Sequence, residues 1–174
     1  GDVARHAVSE ARRRGLFVSY DVNYRRLLAT PQEAAATLRD AAPALDLVSC
    51  RAADATLLFG ITGSTPEIAQ SLRSELRVEH VVVTNGATGA AGAIHGETIE
   101  QPAYEVEVID RIGAGDAFAA GVLWGLLADR SLRVGLERGA AMAALKMTLH
   151  GDLFRLAAED VEALRAGHTF QINR

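Results

Sequence analysis

The chain has 174 residues, of which 49% are hydrophobic and 23% are charged, and its formal net charge is −4. This length and composition suit one soluble globular domain with a sizeable apolar core. The arginines are scattered or set against acidic residues, so a nucleic-acid partner is not expected. No stretch approaches eighteen consecutive apolar residues, so a membrane partner is not expected either.

The cysteine content and the first residues bear on the cellular compartment. Cys50 is the single cysteine of the chain, which excludes an intramolecular disulfide and fits a reducing compartment. We therefore expect a buried thiol at Cys50 and a cytoplasmic location. Residues 1–15 are amphipathic and charged, unlike a signal peptide. The chain starts with Gly1 where a methionine would be expected, so we also expect that an upstream segment is absent.

Helix and strand patterns alternate through the first half of the chain. The apolar spacing predicts a helix that ends at Gly15 and a buried strand over residues 16–23. The elements predicted next are a helix over 31–45, a strand over 45–50, a helix over 52–60, a helix over 65–76 and a strand over 79–86. Thr65 is predicted to cap the last of these helices, with Pro66 at its first helical position. This alternation predicts an α/β fold with a mostly parallel sheet that is flanked by helices on both faces.

The pattern changes in the second half of the chain. Residues 90–110 carry short alternating runs and two glycines, which predicts a short antiparallel meander or hairpin near one edge of the sheet. Three helices are predicted after it, starting at Asp116 and covering residues 117–129, 130–149 and 157–167. There is no internal repeat and no linker, so one domain is the simplest prediction.

Several familiar ligand motifs are absent. The glycines of residues 60–65 are not followed by the lysine of a P-loop. The glycines at 86, 89 and 92 have the wrong spacing for a dinucleotide fingerprint. The five histidines have no metal-ligand spacing with one another or with Cys50, so surface or packing roles are predicted for them.

One short segment has a composition that an ordinary helix start does not need. In DRIGAGDAFAAG, residues 110–121, two glycines and an alanine directly precede Asp116. Residues with little side chain leave their N–H groups open, and the helix dipole points its positive end at the same place, so this is a candidate anion hole. The small side chains at 117 and 119–121 would let a triphosphate come close to the first turns of the helix. A carboxylate at this place could take the proton of an attacking hydroxyl, although Asp116 could instead be no more than a helix cap.

A second polar segment lies where the first predicted strand ends. Open α/β sheets bind ligands at the carboxyl ends of their strands, so Asn23 and Arg25 of YDVNYR, residues 20–25, are candidate ligand contacts. The alternative interpretation is a turn residue at Asn23 and a solvated charge at Arg25.

These segments together resemble the ribokinase-like (PfkB) carbohydrate kinases. The motifs YDVNYR, VVVTNGATGA, DRIGAGDAFAAGVLWGL and ALKMTLHGD occur in that order, and the resemblance extends to the closing FQINR. Within the family they are most similar to the versions in 2-keto-3-deoxygluconate kinases. The resemblance implies a ribokinase-like fold and ATP-dependent phosphorylation of 2-keto-3-deoxygluconate to its 6-phosphate. Another sugar kinase, such as a fructokinase or ribokinase, and a non-catalytic nucleotide-binding relic remain as alternatives.

The resemblance also implies roles for individual residues. Gly113, Ala114 and Gly115 match the anion hole for the transferred phosphoryl group, and Asp116 matches the catalytic base. Positions that match ATP contacts are Asn23, Arg25, Thr84, Asn85, Gly86, Ala87, Thr88 and Gly89, together with the three residues of the anion hole. Positions that match substrate contacts are Asn23, Asp116 and Asp152. ATP and Mg²⁺ are the implied cofactors, and a small-molecule sugar acid is the implied partner.

Some of these positions have simpler interpretations, and some depart from the family pattern. Asp152 could be a turn acid at a helix end, and Asn85 with Gly86 could form a turn. Many members carry an Asn-x-x-Glu element for magnesium, and the matching residues 49–60 offer Arg51 and Asp54 instead. Asp54 is therefore a candidate for Mg²⁺ binding through water.

The family's N-terminal part, with its sugar-recognition segment and lid, has no counterpart in this sequence. We therefore expect residues 1–174 to be the C-terminal portion of a single kinase domain, inactive on its own. A homo-oligomer is compatible with the complete protein, and the sequence leaves the oligomeric state open.

Overall fold

The computed structural model describes residues 2–153 and 157–167, so Gly1 and the predicted closing motif FQINR lie outside the described residues. The chain forms two compact units. Unit 1 comprises Gly1–Asn85 and Ala90–Glu100, and unit 2 comprises Gly86–Gly89 and Gln101–Arg174. Within the described part of the chain, every helix is too short or too polar to cross a membrane.

Unit 1 contains four α-helices, α1 Asp2–Arg13, α2 Pro31–Ala41, α3 Ala52–Phe59 and α4 Thr65–Leu76, and a 3₁₀ turn, Ala42–Ala44. Helix α2 begins at its proline because the Thr30 N–H donates to the Glu33 carboxylate at 2.8 Å. Helix α4 begins in the same way, with the Ser64 N–H donating to the carboxylate of Glu67 at 2.7 Å. The prediction of Thr65 as the cap was wrong, because the capping partner Glu67 stands three residues after Ser64.

A single five-stranded sheet runs in the order β1-β2-β3-β4-β5. The strands are β1 Ser19–Asp21, β2 Leu47–Arg51, β3 His80–Thr84, β4 Ala90–Ile94 and β5 Glu97–Gln101. Strands β1, β2 and β3 are parallel neighbours, and β4 is antiparallel to β3. A two-residue turn joins β4 to β5, a connection that only an antiparallel pair permits. The predicted mostly parallel sheet with an antiparallel addition is confirmed.

Two predicted strand segments are shorter in the structure. Strand β1 covers three residues of the predicted 16–23, and it starts only at Ser19 because its partner β2 begins at Leu47. The Val18 N–H donates to the Asp46 carboxylate at 2.7 Å instead of to a neighbouring strand. The predicted meander is the β4–β5 hairpin alone. Residues 102–110 form no strand, and two of their N–H groups bond to the carbonyl of Met147 at the end of a helix.

The core of unit 1 lies around the central strand. Strand β3 is buried at four consecutive positions, so both faces of the sheet are covered there, as a parallel strand between layers requires. Val48 and Val81 of the sheet pack in one apolar cluster with Leu38 of α2 and Leu72 of α4. Cys50 belongs to the same cluster, which confirms the predicted buried thiol.

Unit 2 contains the helices α5 Ala114–Asp129, α6 Leu132–Met147 and α7 Ala158–Arg165, and a 3₁₀ turn, Gly86–Thr88. Helices α5 and α6 approach each other through glycines. A Cβ at Gly121 would lie 2.5 Å from the Gly139 nitrogen, and one at Gly125 would lie 2.2 Å from the Gly135 nitrogen. This corrects the interpretation of Gly121 as a residue that lets a large anion approach, because its glycine is required by the contact with α6.

A buried arginine links the three helices of unit 2. Arg138 of α6 donates to Glu162 of α7 at 2.7 Å and forms an ion pair with Asp129 of α5. Its guanidinium also lies 3.9 Å from the centre of the Trp124 ring. A buried cation with two carboxylate partners and an aromatic face is a packing element of this unit.

Candidate active site

The glycine turn, residues 113–116, forms the beginning of α5. Gly113 is the N-cap in the left-handed conformation, with φ of 79°, and no side chain caps the helix. The N–H of Ala114 turns back to the carbonyl of Arg111 at 3.2 Å. The N–H groups of Gly113, Gly115 and Asp116 meet no acceptor among the described residues. Three donors therefore stay available to a ligand at the positive end of a long helix.

The two glycines of this turn are required for different reasons. At Gly113 the backbone is left-handed, and a Cβ would lie 3.1 Å from the Asp152 carbonyl oxygen. At Gly115 the φ angle is not positive, and a Cβ would meet no described atom within 4 Å. Alanine is more favourable than glycine in a helix, so packing does not explain Gly115. The open space around Gly115 leaves room for a ligand to approach the N–H groups of the turn.

Asp116 is the third residue of α5, and its side chain is exposed. Its carboxylate forms no hydrogen bond or ion pair with any other residue in the described part of the chain. The structure therefore does not support the alternative in which Asp116 caps the helix, because the N-cap position belongs to Gly113. A carboxylate without a protein partner is free to accept a proton from a bound hydroxyl.

Asp110 ties the approach to the glycine turn to the loop after α6. Its carboxylate accepts the Ile112 N–H at 2.9 Å and the Gly151 N–H at 3.0 Å. These two backbone donors hold the pKa of the Asp110 carboxyl below its ordinary value. The segment that contains Asp152 is thereby fixed beside Gly113, and the Asp152 side chain is exposed. The sequence alone predicts no role for Asp110, although this residue begins the glycine motif DRIGAGDAFAAG.

In unit 1, polar residues gather at one edge of the sheet. The carboxyl ends of β1, β2 and β3 lie at the same edge because the three strands are parallel and in register, with Arg51 opposite Thr84. Residues that follow or end these strands are Asn23 and Arg25 after β1, Asp54 after β2, and Thr84 and Asn85 at the end of β3. This edge is where open α/β sheets bind ligands.

The residues after β1 form an exposed turn. Asn23 is exposed and has φ of 32°, a left-handed conformation that asparagine tolerates better than most residues. Arg25 is exposed, and its carbonyl accepts the Leu28 N–H at 2.9 Å. The hydrogen-bonded turn spans residues 25–28 and does not include Asn23, and the ligand roles of Asn23 and Arg25 stay predictions.

Asp54 lies in the first turn of α3 and is only 4% exposed. Both of its carboxylate oxygens accept hydrogen bonds from Arg51, at 2.7 and 2.9 Å. Direct binding of a metal would therefore compete with a bidentate ion pair. The water-mediated Mg²⁺ role stays a prediction. Residues 2–153 and 157–167 contain no group of three or more metal-ligating side chains.

Residues 84–89 form the loop that is predicted to run along ATP. Contacts within the protein explain some of the residues in this loop. The Asn85 amide donates to the Thr65 hydroxyl at 3.2 Å, within unit 1. In unit 2, Gly86, Ala87 and Thr88 form a 3₁₀ turn. A Cβ at Gly89 would lie 2.2 Å from the carbonyl oxygen of Gln101, so only glycine fits there. The nucleotide contacts of this loop stay predictions.

Comparison with known proteins gives relatives that match most of this chain. The 2-dehydro-3-deoxygalactonokinase of Haloferax volcanii is 35% identical over 160 residues, which is 92% of this chain and 50% of the relative. A fructokinase of Klebsiella pneumoniae is 30% identical over 161 residues, which is 88% of this chain and 52% of that relative. The chain thus spans about half the length of the curated relatives that it matches.

A solved structure shares the fold. The 2-dehydro-3-deoxygluconokinase of Thermotoga maritima has a TM-score of 0.85 and 26% sequence identity, covering 95% of this chain and 54% of that one. This confirms the predicted ribokinase-like α/β fold. The sequence profile described as pfkB family carbohydrate kinase matches residues 4–157. By that match the chain belongs to the pfkB family of carbohydrate kinases.

Proposed function

We propose that the complete gene product carrying this chain is a sugar-acid kinase. It transfers a phosphoryl group from ATP to the terminal hydroxyl of 2-keto-3-deoxygluconate, which is also called 2-dehydro-3-deoxygluconate. The observation that carries this proposal is an open glycine turn followed directly by a carboxylate without a protein partner, at Gly115 and Asp116. The names of the relatives from Haloferax and Thermotoga support the substrate class.

The glycine turn fits a polyphosphate because it offers backbone donors without side chains. Its three unbonded N–H groups lie at the beginning of α5, and the space before Gly115 lets an anion reach them. ATP supplies the phosphoryl group when it is bound, and its Mg²⁺ neutralises part of the phosphate charge. The N–H groups stabilise charge on the phosphoryl oxygens, as donors aimed at developing charge do in other enzymes. Because magnesium keeps several water ligands, we propose that it enters with the nucleotide and needs few protein carboxylates.

Asp116 acts on the substrate hydroxyl in this proposal. A carboxylate next to phosphates repels them, so its place after the anion-binding donors favours a proton-transfer role over a phosphate-binding role. Asp116 orients the hydroxyl and accepts its proton as the hydroxyl oxygen bonds to the γ-phosphorus of ATP, while the bond from that phosphorus to the bridging oxygen breaks and ADP leaves. General-base assistance of this kind contributes about 10²- to 10⁴-fold in rate. We also propose that the exposed carboxylate of Asp152 contacts the sugar acid.

A substrate panel tests the proposal. The complete gene product is assayed for ADP release with 2-keto-3-deoxygluconate, its 2-keto-3-deoxygalactonate epimer, fructose and ribose. We expect the highest kcat/KM with the two sugar acids and a phosphate ester at the terminal carbon, identified by ³¹P NMR of the product.

The same panel separates the alternatives. A preference for fructose would favour the second candidate, a fructokinase, which the Klebsiella relative supports. ATP binding without turnover of any sugar would contradict both kinase proposals and favour a nucleotide-binding relic.

A further inference from the structure

The chain has one lysine among its 18 basic residues, at position 146, and all the others are arginine. Lys146 lies in the last turn of α6 and is completely buried, with 0% exposure. Lysine is among the residue types that are least often fully buried. The chain has arginine at all of its remaining basic positions and keeps its one lysine side chain in the interior.

The surroundings of Lys146 belong to the glycine turn. Its Cε atom lies 3.4 Å from the point where a Cβ at Gly113 would stand. Its ammonium donates to the carbonyl of Leu149 at 3.4 Å, and this is the one hydrogen bond that it makes to a described residue. The negative charge of Asp110 is close enough for Lys146 to help lower the pKa of that carboxyl. His150 stands on the same loop and is exposed.

Lysine suits this place better than arginine. An ammonium is a compact charge on a thin stem, whereas a guanidinium is a planar fork that needs several acceptors. Beside Gly113 the Lys146 Cε atom lies 3.4 Å from the position of a Cβ, and the Asp152 backbone lies 3.1 Å from it, so little room is left for a larger group. A buried charge is costly unless something compensates it, and here the carbonyl of Leu149, just after α6, and the negative charge of Asp110 provide the compensation.

We infer that Lys146 is a positioning residue for the glycine turn. Its terminal methylene supports Gly113 from behind, and its ammonium places a fixed positive charge under the backbone donors of the turn. This charge lowers the free energy of a polyanion at the turn without touching it. The inference rests on the proposed function only in taking a nucleotide phosphate as the ligand of the turn.

The test compares Lys146→Met and Lys146→Ala with the wild type in the complete gene product. Methionine keeps the length of the side chain without its charge, so we expect a melting temperature close to that of the wild type. We expect the ATP Kd to rise and kcat to fall, each by about tenfold or more, while the KM for the sugar acid stays within about twofold. A purely structural role would change the melting temperature without producing a fall in kcat at a nearly constant KM for the sugar acid.

Chemical rescue separates the charge from the packing. Lys146→Ala removes four side-chain atoms, and propylammonium has the same four atoms. We expect propylammonium to restore at least part of the ATP affinity of Lys146→Ala, and we expect the uncharged propanol to restore none. Arg138→Met is the matched control, because it removes another buried cation from α6. It should lower the melting temperature while its ATP affinity stays unresponsive to propylammonium.

The outcomes also separate this inference from the proposed function. Wild-type ATP affinity and turnover in Lys146→Met would overturn the inference and leave the kinase proposal intact. Equal rescue by propanol would overturn it as well. If the wild type binds ATP but phosphorylates no sugar acid, the proposed substrate is wrong, and a weaker ATP affinity of Lys146→Met would still support the inference. A wild type without affinity for ATP would contradict both.

Discussion

Replacement of Gly115 by valine separates ligand binding from folding. A Cβ at this position meets no described atom within 4 Å, and the φ angle is not positive, so the folded chain accommodates the side chain. Valine is slightly better than glycine in a helix, so the free energy of unfolding should stay within about 0.5 kcal/mol of the wild type. For a domain of this size that corresponds to a change of about 2 °C or less in melting temperature.

The same side chain would fill the space through which a phosphate approaches the turn. Losing one hydrogen bond between an N–H and a charged phosphate costs about 1.5–3 kcal/mol, which is a rise of about 10- to 150-fold in the ATP Kd. Titration calorimetry on the complete gene product measures this value, with Ala128→Val at an exposed position of α5 as the control. An unchanged ATP Kd in a folded Gly115→Val protein would refute the assignment of the glycine turn as the phosphate site.

Three further predictions concern packing, the thiol and the separated chain. Gly121→Ala should destabilise the protein by about 1–3 kcal/mol in urea unfolding, because its Cβ would lie 2.5 Å from the Gly139 nitrogen; a neutral result would mean that α5 and α6 can separate freely. Burial raises the pKa of the Cys50 thiol from 9.0 to about 12. A disulfide reagent at pH 8 should therefore label Cys50 only after unfolding, and the free energy of unfolding should fall as the pH rises from 9.0 towards 12, where only the unfolded thiol ionises. Rapid labelling of the native protein would contradict the first expectation, and a flat pH profile would contradict the second. Because Leu27 and Leu28 are 93% and 85% exposed and β1 is an edge strand, residues 1–174 purified alone should self-associate in light scattering and phosphorylate no sugar acid; a monomer with turnover would disprove this.

The features that the sequence predicts well are local ones. Helix α2 begins at Pro31 because the proline and the Thr30–Glu33 capping pair lie within four residues of one another. Strand β3 is recognised from its run of β-branched residues, and its burial follows from that run. The glycine motif also predicts the free donors at Gly113 and Gly115, because small residues and a helix dipole act over a single turn, but it does not predict the hydrogen bond of the Ala114 N–H to the Arg111 carbonyl.

The features that the sequence does not predict depend on distant partners. The start of β1 is set by where β2 begins, and the need for glycine at position 121 is set by Gly139. The burial of Lys146 depends on the packing of the loop that contains Gly113, which lies 33 positions earlier in the chain. The sequence offers two signals for Lys146: it is the only lysine, and it lies in the motif ALKMTLHGD. Each of these features depends on residues that are close in space but distant in the sequence. The spacing of apolar residues that predicts a helix or a strand carries no information about such contacts.

We propose above all that Asp116 is the base of a phosphoryl transfer at the glycine turn. Asp160 provides a matched control, because it is also the third residue of its helix, and its carboxylate accepts the Ala157 N–H at 2.8 Å. Replacement by alanine at Asp160 should therefore lower stability by about 0.5–2 kcal/mol and leave turnover unchanged.

The most direct measurement is kcat for Asp116→Asn in the complete gene product with 2-keto-3-deoxygluconate, alongside the ATP Kd. We predict a fall in kcat of about 10²-fold or more, with ATP affinity and melting temperature close to those of the wild type. Turnover within a few-fold of the wild type would contradict the claim, because Asp116 would then be one more acidic residue at the positive end of a helix.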